Sequence, residues 1–269
     1  AAAEGVKTEF LPVDADGRVD VGDVRRALRK ETALLCLTAA SGEIGTLQKL
    51  AEAGAAAREA GALLFVDATR AAGWIPLDMR AMGISLLSLS AHYFHGPKGA
   101  AALARSGDVP LVPLIEGGAQ EEGLRGGTPN VAGCVGLGEA ARLAREDMPS
   151  RAARLEILAA RLRREISSVD GLAFTGCAKE RLPGHVSFTL EGVDGEALTM
   201  LLDAQGVVAS SGSACSSEIG KPSHVLAAMG LPLERIKGSL VFAPLDDAAE
   251  EDMARAVEVL RRSVERLRG

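Results

Sequence analysis

Apolar positions follow two patterns in the first half of the chain. Residues 21–30 set Val21, Val24 and Leu28 at helical spacing. Residues 33–38, 63–66 and 84–89 are short apolar runs, the mark of buried strands. Between the first two runs, residues 47–60 are Ala-rich with the apolar spacing of a helix. Strands alternating with helices predict crossover units and a mostly parallel sheet. In such sheets ligands bind beyond the carboxyl ends of the strands. Glu43, Asp67 and residues 90–93 all follow predicted strand ends, so the pattern nominates them as a site.

The second half reads differently. Residues 117–128 are Gly-rich and polar, a long loop, and 131–166 form a charge-laced helical run. Short strands are predicted at Phe174, 186–190 and 207–209, and helices at 196–204 and 248–267. The change of pattern predicts a large domain over 1–145 and a smaller C-terminal α+β domain over 146–269.

Composition narrows the function classes. With 269 residues, 47% apolar and 25% charged, the chain is an ordinary globular sequence with room for one large core or two moderate ones. Aromatic residues are only 3%, so the core must be small aliphatic packing. The net charge of −6 is spread evenly, without the basic patch of a nucleic-acid binder. No apolar run approaches the roughly 18 residues of a membrane span. The N-terminus lacks the regions of a signal peptide, and a cytoplasmic protein is expected. It also lacks an initiating Met, which points to a fragment or a trimmed chain.

The four cysteines show no metal-ligand spacing, so neither a zinc site nor a disulfide framework is expected. Cys36, Cys134 and Cys177 read as small buried apolar residues. Cys215 differs: Ser210, Ser211, Gly212, Ser213, Ser216 and Ser217 surround it, the composition of an exposed loop. An accessible thiol there can attack sulfur. Asp67 at a strand end can bind a metal, cap a turn, pair with a cation or hold a pyridine nitrogen protonated. Ser90 can donate to a phosphate or cap its turn. His92 can stack on a flat ring or be a satisfied buried histidine.

Five collinear segments then carry a resemblance. They are Val66-Asp67-Ala68-Thr69, residues 87–92, Gly96-Pro97-Lys98-Gly99, Arg125-Gly126-Gly127-Thr128 and residues 210–216. In order and spacing they resemble NifS/IscS-type cysteine desulfurases, class V aminotransferases of pyridoxal-phosphate (PLP) fold type I. The likeness runs from Phe10 to the C-terminus. It implies an α/β large domain with a mostly parallel sheet, lacking the family's N-terminal part, plus a smaller C-terminal α+β domain. It implies that Asp67 pairs with the pyridine nitrogen, that His92 stacks on the ring and that Ser90 contacts the phosphate. Thr128 would reach the neighbouring subunit's phosphate in a dimer, and Cys215 would take sulfur from L-cysteine as a persulfide.

The departures matter as much. The family's Schiff-base lysine position is Tyr93, and a phenol forms no imine. Lys98 is no substitute, because it belongs to the turn that active members also carry. Ser41-Gly42 stands where an asparagine should precede Glu43, Arg70 replaces a glutamine, and Val241 replaces the arginine that binds the substrate carboxylate. The resemblance therefore implies a desulfurase-like protein of sulfur transfer with impaired or lost desulfurase activity, and PLP binding that is at most non-covalent. Two other readings stand beside it. One is a non-catalytic homo- or heterodimer partner, or a Cys215 persulfide carrier serving a true desulfurase and a sulfur acceptor or scaffold. The other is an active PLP enzyme of altered mechanism.

Overall fold

The computed structural model describes residues 5–107, 109–211 and 222–269. Two compact units are present: residues 28–39 with 49–148, and residues 1–27 with 40–48 and 149–269. The units are not contiguous in sequence. Residues 40–48 belong with the C-terminal part because Thr46 bridges Arg181 and its hydroxyl accepts from the Cys177 amide at 2.9 Å.

The first unit holds β1 (Leu34–Thr38), α2 (Leu50–Glu59), β2 (Leu63–Asp67), β3 (Leu86–Ser90) and β4 (Ala101–Arg105) in one sheet of order β1-β2-β3-β4. Preceding these in the chain, and belonging to the other unit, is α1 (Val21–Ala27). The β1–β2 and β2–β3 pairs are parallel and β3–β4 is antiparallel. A parallel sheet needs a crossover, and α2 supplies it between β1 and β2 with Leu50, Ala53, Ala56 and Ala57 buried. Alanines suffice there, as the low aromatic content anticipates. Strand β4, Ala-rich and alternating in burial, was not among the predicted strands.

Alternation also corrects the prediction for Cys36. In β1, Leu34, Cys36 and Thr38 point to an exposed face, so the run is half-buried rather than buried on both sides. Cys134 is exposed as well. It lies on α3 (Val131–Ile166), off the buried stripe that runs through Gly133, Ala140 and Ala144. Cys177 is buried, as expected of a small apolar residue. Pro149 sits inside α3 and has no amide hydrogen to donate to the Arg145 carbonyl.

The second unit contains an antiparallel sheet of β5 (Leu172–Phe174), β6 (Val186–Leu190) and β7 (Ser239–Phe242), in that order. Strand β6 is wholly buried. Around the sheet lie α4 (Gly195–Asp203), α5 (His224–Ala228), α6 (Leu233–Lys237) and α7 (Glu250–Arg268). Asp194 caps α4 by accepting from the Ala197 amide at 2.9 Å, and Ser223 caps α5 through Leu226 at 3.0 Å. Leu155, Leu158, Ala159, Leu162 and Ile166 form the buried stripe of the second half of α3, at helical spacing. The strand predicted over 207–209 is not formed. Among the described residues its surroundings contribute a single bridge, Ser210 to Val241.

Candidate functional site

Asp67 and Ser90 are the last residues of the adjacent strands β2 and β3, so the parallel sheet places them at the same end. Past β2 the chain turns at once. The Asp67 carboxylate accepts from the Thr69 amide at 2.9 Å and the Thr69 hydroxyl at 2.5 Å, and Ser88 on β3 donates to the same oxygen at 3.2 Å. This is the turn-capping role that an aspartate commonly takes, reinforced from the neighbouring strand. Past β3 the chain enters a one-turn 3-10 helix, Ala91–Phe94, closed by His95 in the left-handed region with φ 67°. Gly73 lets the two turns approach: at its φ of 80° any added Cβ would lie 2.5 Å from Phe94 Cβ.

The side chains on these turns form one cluster. Ser90 Oγ lies 3.0 Å from His92 Nδ1. The His92 and Tyr93 rings are 4.4 Å apart at 36°, and the Arg70 guanidinium sits 4.6 Å from the Tyr93 centroid. The Trp74 indole N–H donates to the Tyr93 carbonyl at 2.7 Å and its ring meets His95 edge-on at 5.7 Å. Sequence reasoning nominated Asp67, Ser90, His92, Tyr93 and Arg70 separately. It missed Trp74, the chain's single tryptophan. Its only signal was a place in the turn after β2.

The other nominated residues belong elsewhere. Thr128 is exposed in the same unit, three residues before α3. Ser41, Glu43 and Val241 belong to the other unit. Ser41 starts a tight turn, its carbonyl accepting from the Gly45 amide at 2.8 Å and its hydroxyl from the Glu43 amide at 3.3 Å. Glu43 accepts from the Ser223 hydroxyl at 2.5 Å. Burial pushes its carboxyl up, while Ser223 and the nearby His224 pull it back. Val241 is buried on β7 and offers no donor to a carboxylate. Cys215 lies outside the described residues. Among the described residues, no group of three or more His, Cys, Asp or Glu side chains is placed to hold a metal ion.

The donor set does not fit a cofactor held through an imine. Position 93 presents a phenol, and the cation beside it is a guanidinium, which forms no Schiff base. The groups suited to non-covalent contact are engaged among themselves: Asp67 with Thr69 and Ser88, Ser90 with His92, His92 with Tyr93.

Comparison with known proteins agrees with the fold. The class-V aminotransferase family matches residues 1–245. The chain is 40% identical over 265 residues to the cysteine desulfurase IscS of Dictyoglomus turgidum, covering 98% of this chain and 67% of that protein. It is 40% identical over 269 residues to the IscS-like cysteine desulfurase of Mycobacterium tuberculosis, covering 98% and 68%. Among solved structures, a NifS-like protein superposes with a TM-score of 0.91 at 29% identity, over 98% of this chain and 70% of that one. A NifS-like protein from Rickettsia africae gives 0.88 at 25%, over 95% and 69%. The chain thus spans about two thirds of the relatives it matches. With its mostly parallel sheet and these relatives, the chain belongs to the class-V aminotransferase family, has the PLP fold type I, and is similar there to IscS/NifS-type cysteine desulfurases.

Proposed function

We propose that this protein keeps the desulfurase scaffold and a role in sulfur transfer, feeding iron–sulfur or thio-cofactor assembly, while its own desulfurase chemistry is lost. One observation carries the reading: Tyr93, not an amine, stands at the end of β3, its carbonyl tied to Trp74 and its ring against Arg70 and His92. In the family PLP acts as an electron sink for breaking the bond to sulfur. Here Asp67 and His92 stand at and just past the ends of adjacent strands but are engaged with Thr69, Ser88, Ser90 and Tyr93, and the covalent anchor is absent. Val241 adds a second loss, since a valine leaves a substrate carboxylate without its charge-assisted partner. The test mixes the protein with PLP and L-cysteine and follows Schiff-base absorption and sulfide release. Neither signal is expected, and both together at rates typical of a working enzyme would overturn the reading.

The role left is that of a partner. Cys215 is the thiol proposed to carry sulfur as a persulfide, and Thr128 the residue proposed to complete a neighbouring subunit's site. Pairing as a homo- or heterodimer is supported by large apolar residues left exposed near Thr128: Val112 at 89%, Leu114 at 96%, Val131 at 66% and Val135 at 67%. Incubation with an active desulfurase and L-cysteine, then mass spectrometry of the Cys215 peptide, separates carrier from scaffold. A persulfide supports the carrier role, and its absence assigns the protein to the scaffold role. The described helices include none long and apolar enough to cross a membrane, and a cytoplasmic setting is part of the same proposal.

A further inference from the structure

Position 70 and position 93 depart from the family pattern separately in sequence, but the fold brings them into one contact. The Arg70 guanidinium lies 4.6 Å from the centroid of the Tyr93 ring, and that ring lies 4.4 Å from His92. We infer that Arg70 and Tyr93 are one coupled change that fills the ring place beside His92, so that the site excludes a planar pyridine ligand. This rests on the reading above that the strand-end cluster descends from a cofactor site.

The argument is one of occupancy. A pyridine ring held here needs a free face on His92, a carboxylate oxygen from Asp67 and a donor from Ser90. Tyr93 already packs on His92, an aromatic contact favourable beyond its buried area. Arg70 adds a cation–aromatic contact on the Tyr93 ring. The Trp74 indole N–H holds the Tyr93 backbone carbonyl at 2.7 Å, which fixes the turn from which the ring projects. Ser90 is bound to His92 and one Asp67 oxygen serves Thr69 and Ser88. An entering ring must displace Tyr93 and recover contacts that the cluster makes with itself. Arg70 and Tyr93 are thus specificity-determining residues that act by exclusion.

The probe is pyridoxine 5′-phosphate, which carries the ring and phosphate but no aldehyde. It cannot form an imine with any lysine, so its outcome is independent of the PLP and L-cysteine test. Binding is followed by equilibrium dialysis and by quenching of Trp74, the only tryptophan. No saturable binding is expected for the native protein up to millimolar ligand. The Arg70→Gln/Tyr93→Ala variant, folded by circular dichroism, should bind at least tenfold more tightly than the native protein. Adding His92→Ala should remove the gain. Native binding equal to that of the variant, or a folded variant with no gain, would overturn the inference. If the variant does not fold, proton NMR of the native protein decides: the His92 ring protons should be shifted upfield and return toward unstructured values in Tyr93→Leu. Unshifted His92 protons in the native protein would equally overturn it.

Discussion

Arg181 offers a sharp test of how the C-terminal unit holds residues 40–48. Its guanidinium is buried and donates to the carbonyls of Cys177 at 3.2 Å and Ile44 at 3.1 Å, and to the Ser187 hydroxyl at 3.1 Å. Burial first, and the like charge of Arg163 second, push it down to about 10, so it remains charged at neutral pH but carries a desolvation cost. Arg181→Met keeps much of the length and removes all donors. The Ser187 hydroxyl has one proton to share between the Ile44 carbonyl at 3.2 Å and the Thr175 carbonyl at 3.0 Å, so the Cys177 carbonyl loses its side-chain donor and the Ile44 carbonyl keeps only a shared one. An orphaned buried acceptor costs about 1–3 kcal/mol. Relief from burying a charge offsets part of that, leaving about 1–2 kcal/mol of destabilisation. Arg181→Ala sheds the aliphatic stem too and should cost about 2 kcal/mol more, at about 0.8 per buried methylene plus a cavity. Urea unfolding followed by far-UV circular dichroism at pH 7 measures both. A shift of about 2–4 °C in Tm per kcal/mol provides a second reading for a chain of this size. If Met costs nothing, the hydrogen bonds are not what Arg181 contributes; if Met is as costly as Ala, the aliphatic stem is not.

Four further outcomes are expected. Leu114→Glu should shift a dimer toward monomer in sedimentation while the monomer stays folded by circular dichroism, because Leu114 is 96% exposed within one chain; an unchanged oligomeric state removes the proposed interface. For Glu43, the folded state favours the neutral carboxyl, so wild type should lose stability relative to Glu43→Gln as pH rises above 4.5 through the raised value; a flat difference from pH 4 to 7 contradicts the burial argument. In a Cys215→Ser background a thiol reagent should label Cys36 and Cys134 in the native state and Cys177 only after unfolding, with Cys36 speeding up as pH rises because burial holds its thiol up. Asp194→Ala should cost about 0.5–2 kcal/mol through loss of the α4 cap, read by thermal melting.

Elements with strong periodicity were legible in the sequence: α2, α3, α7 and strands β1 to β3 all form near their predicted places. Strand β4 was not, because Ala101–Arg105 lacks the branched residues that signal a strand. Strand β7 spans Ser239–Phe242 and is too short for a pattern to show. The opposite error at 207–209 has the same root, since an apolar run becomes a strand only if a neighbour pairs with it along its length. Cys36 was misplaced because half-burial depends on what covers a sheet face, which local sequence does not encode. At the site, Asp67, Ser90 and His92 were legible as polar residues ending apolar runs. The contact of Arg70 with Tyr93 was not, because it joins two turns that only the β2–β3 pairing brings together.

Pro149 has a consequence for how α3 opens. The helix is assigned without a break over Val131–Ile166, yet its amide ladder is interrupted where the proline ring replaces a donor. Hydrogen exchange should register two protected blocks, one on each side of residue 149, with separate opening energies. Fraying that starts in one block then meets a turn that is one backbone bond short, so the helix should open as two cooperative segments.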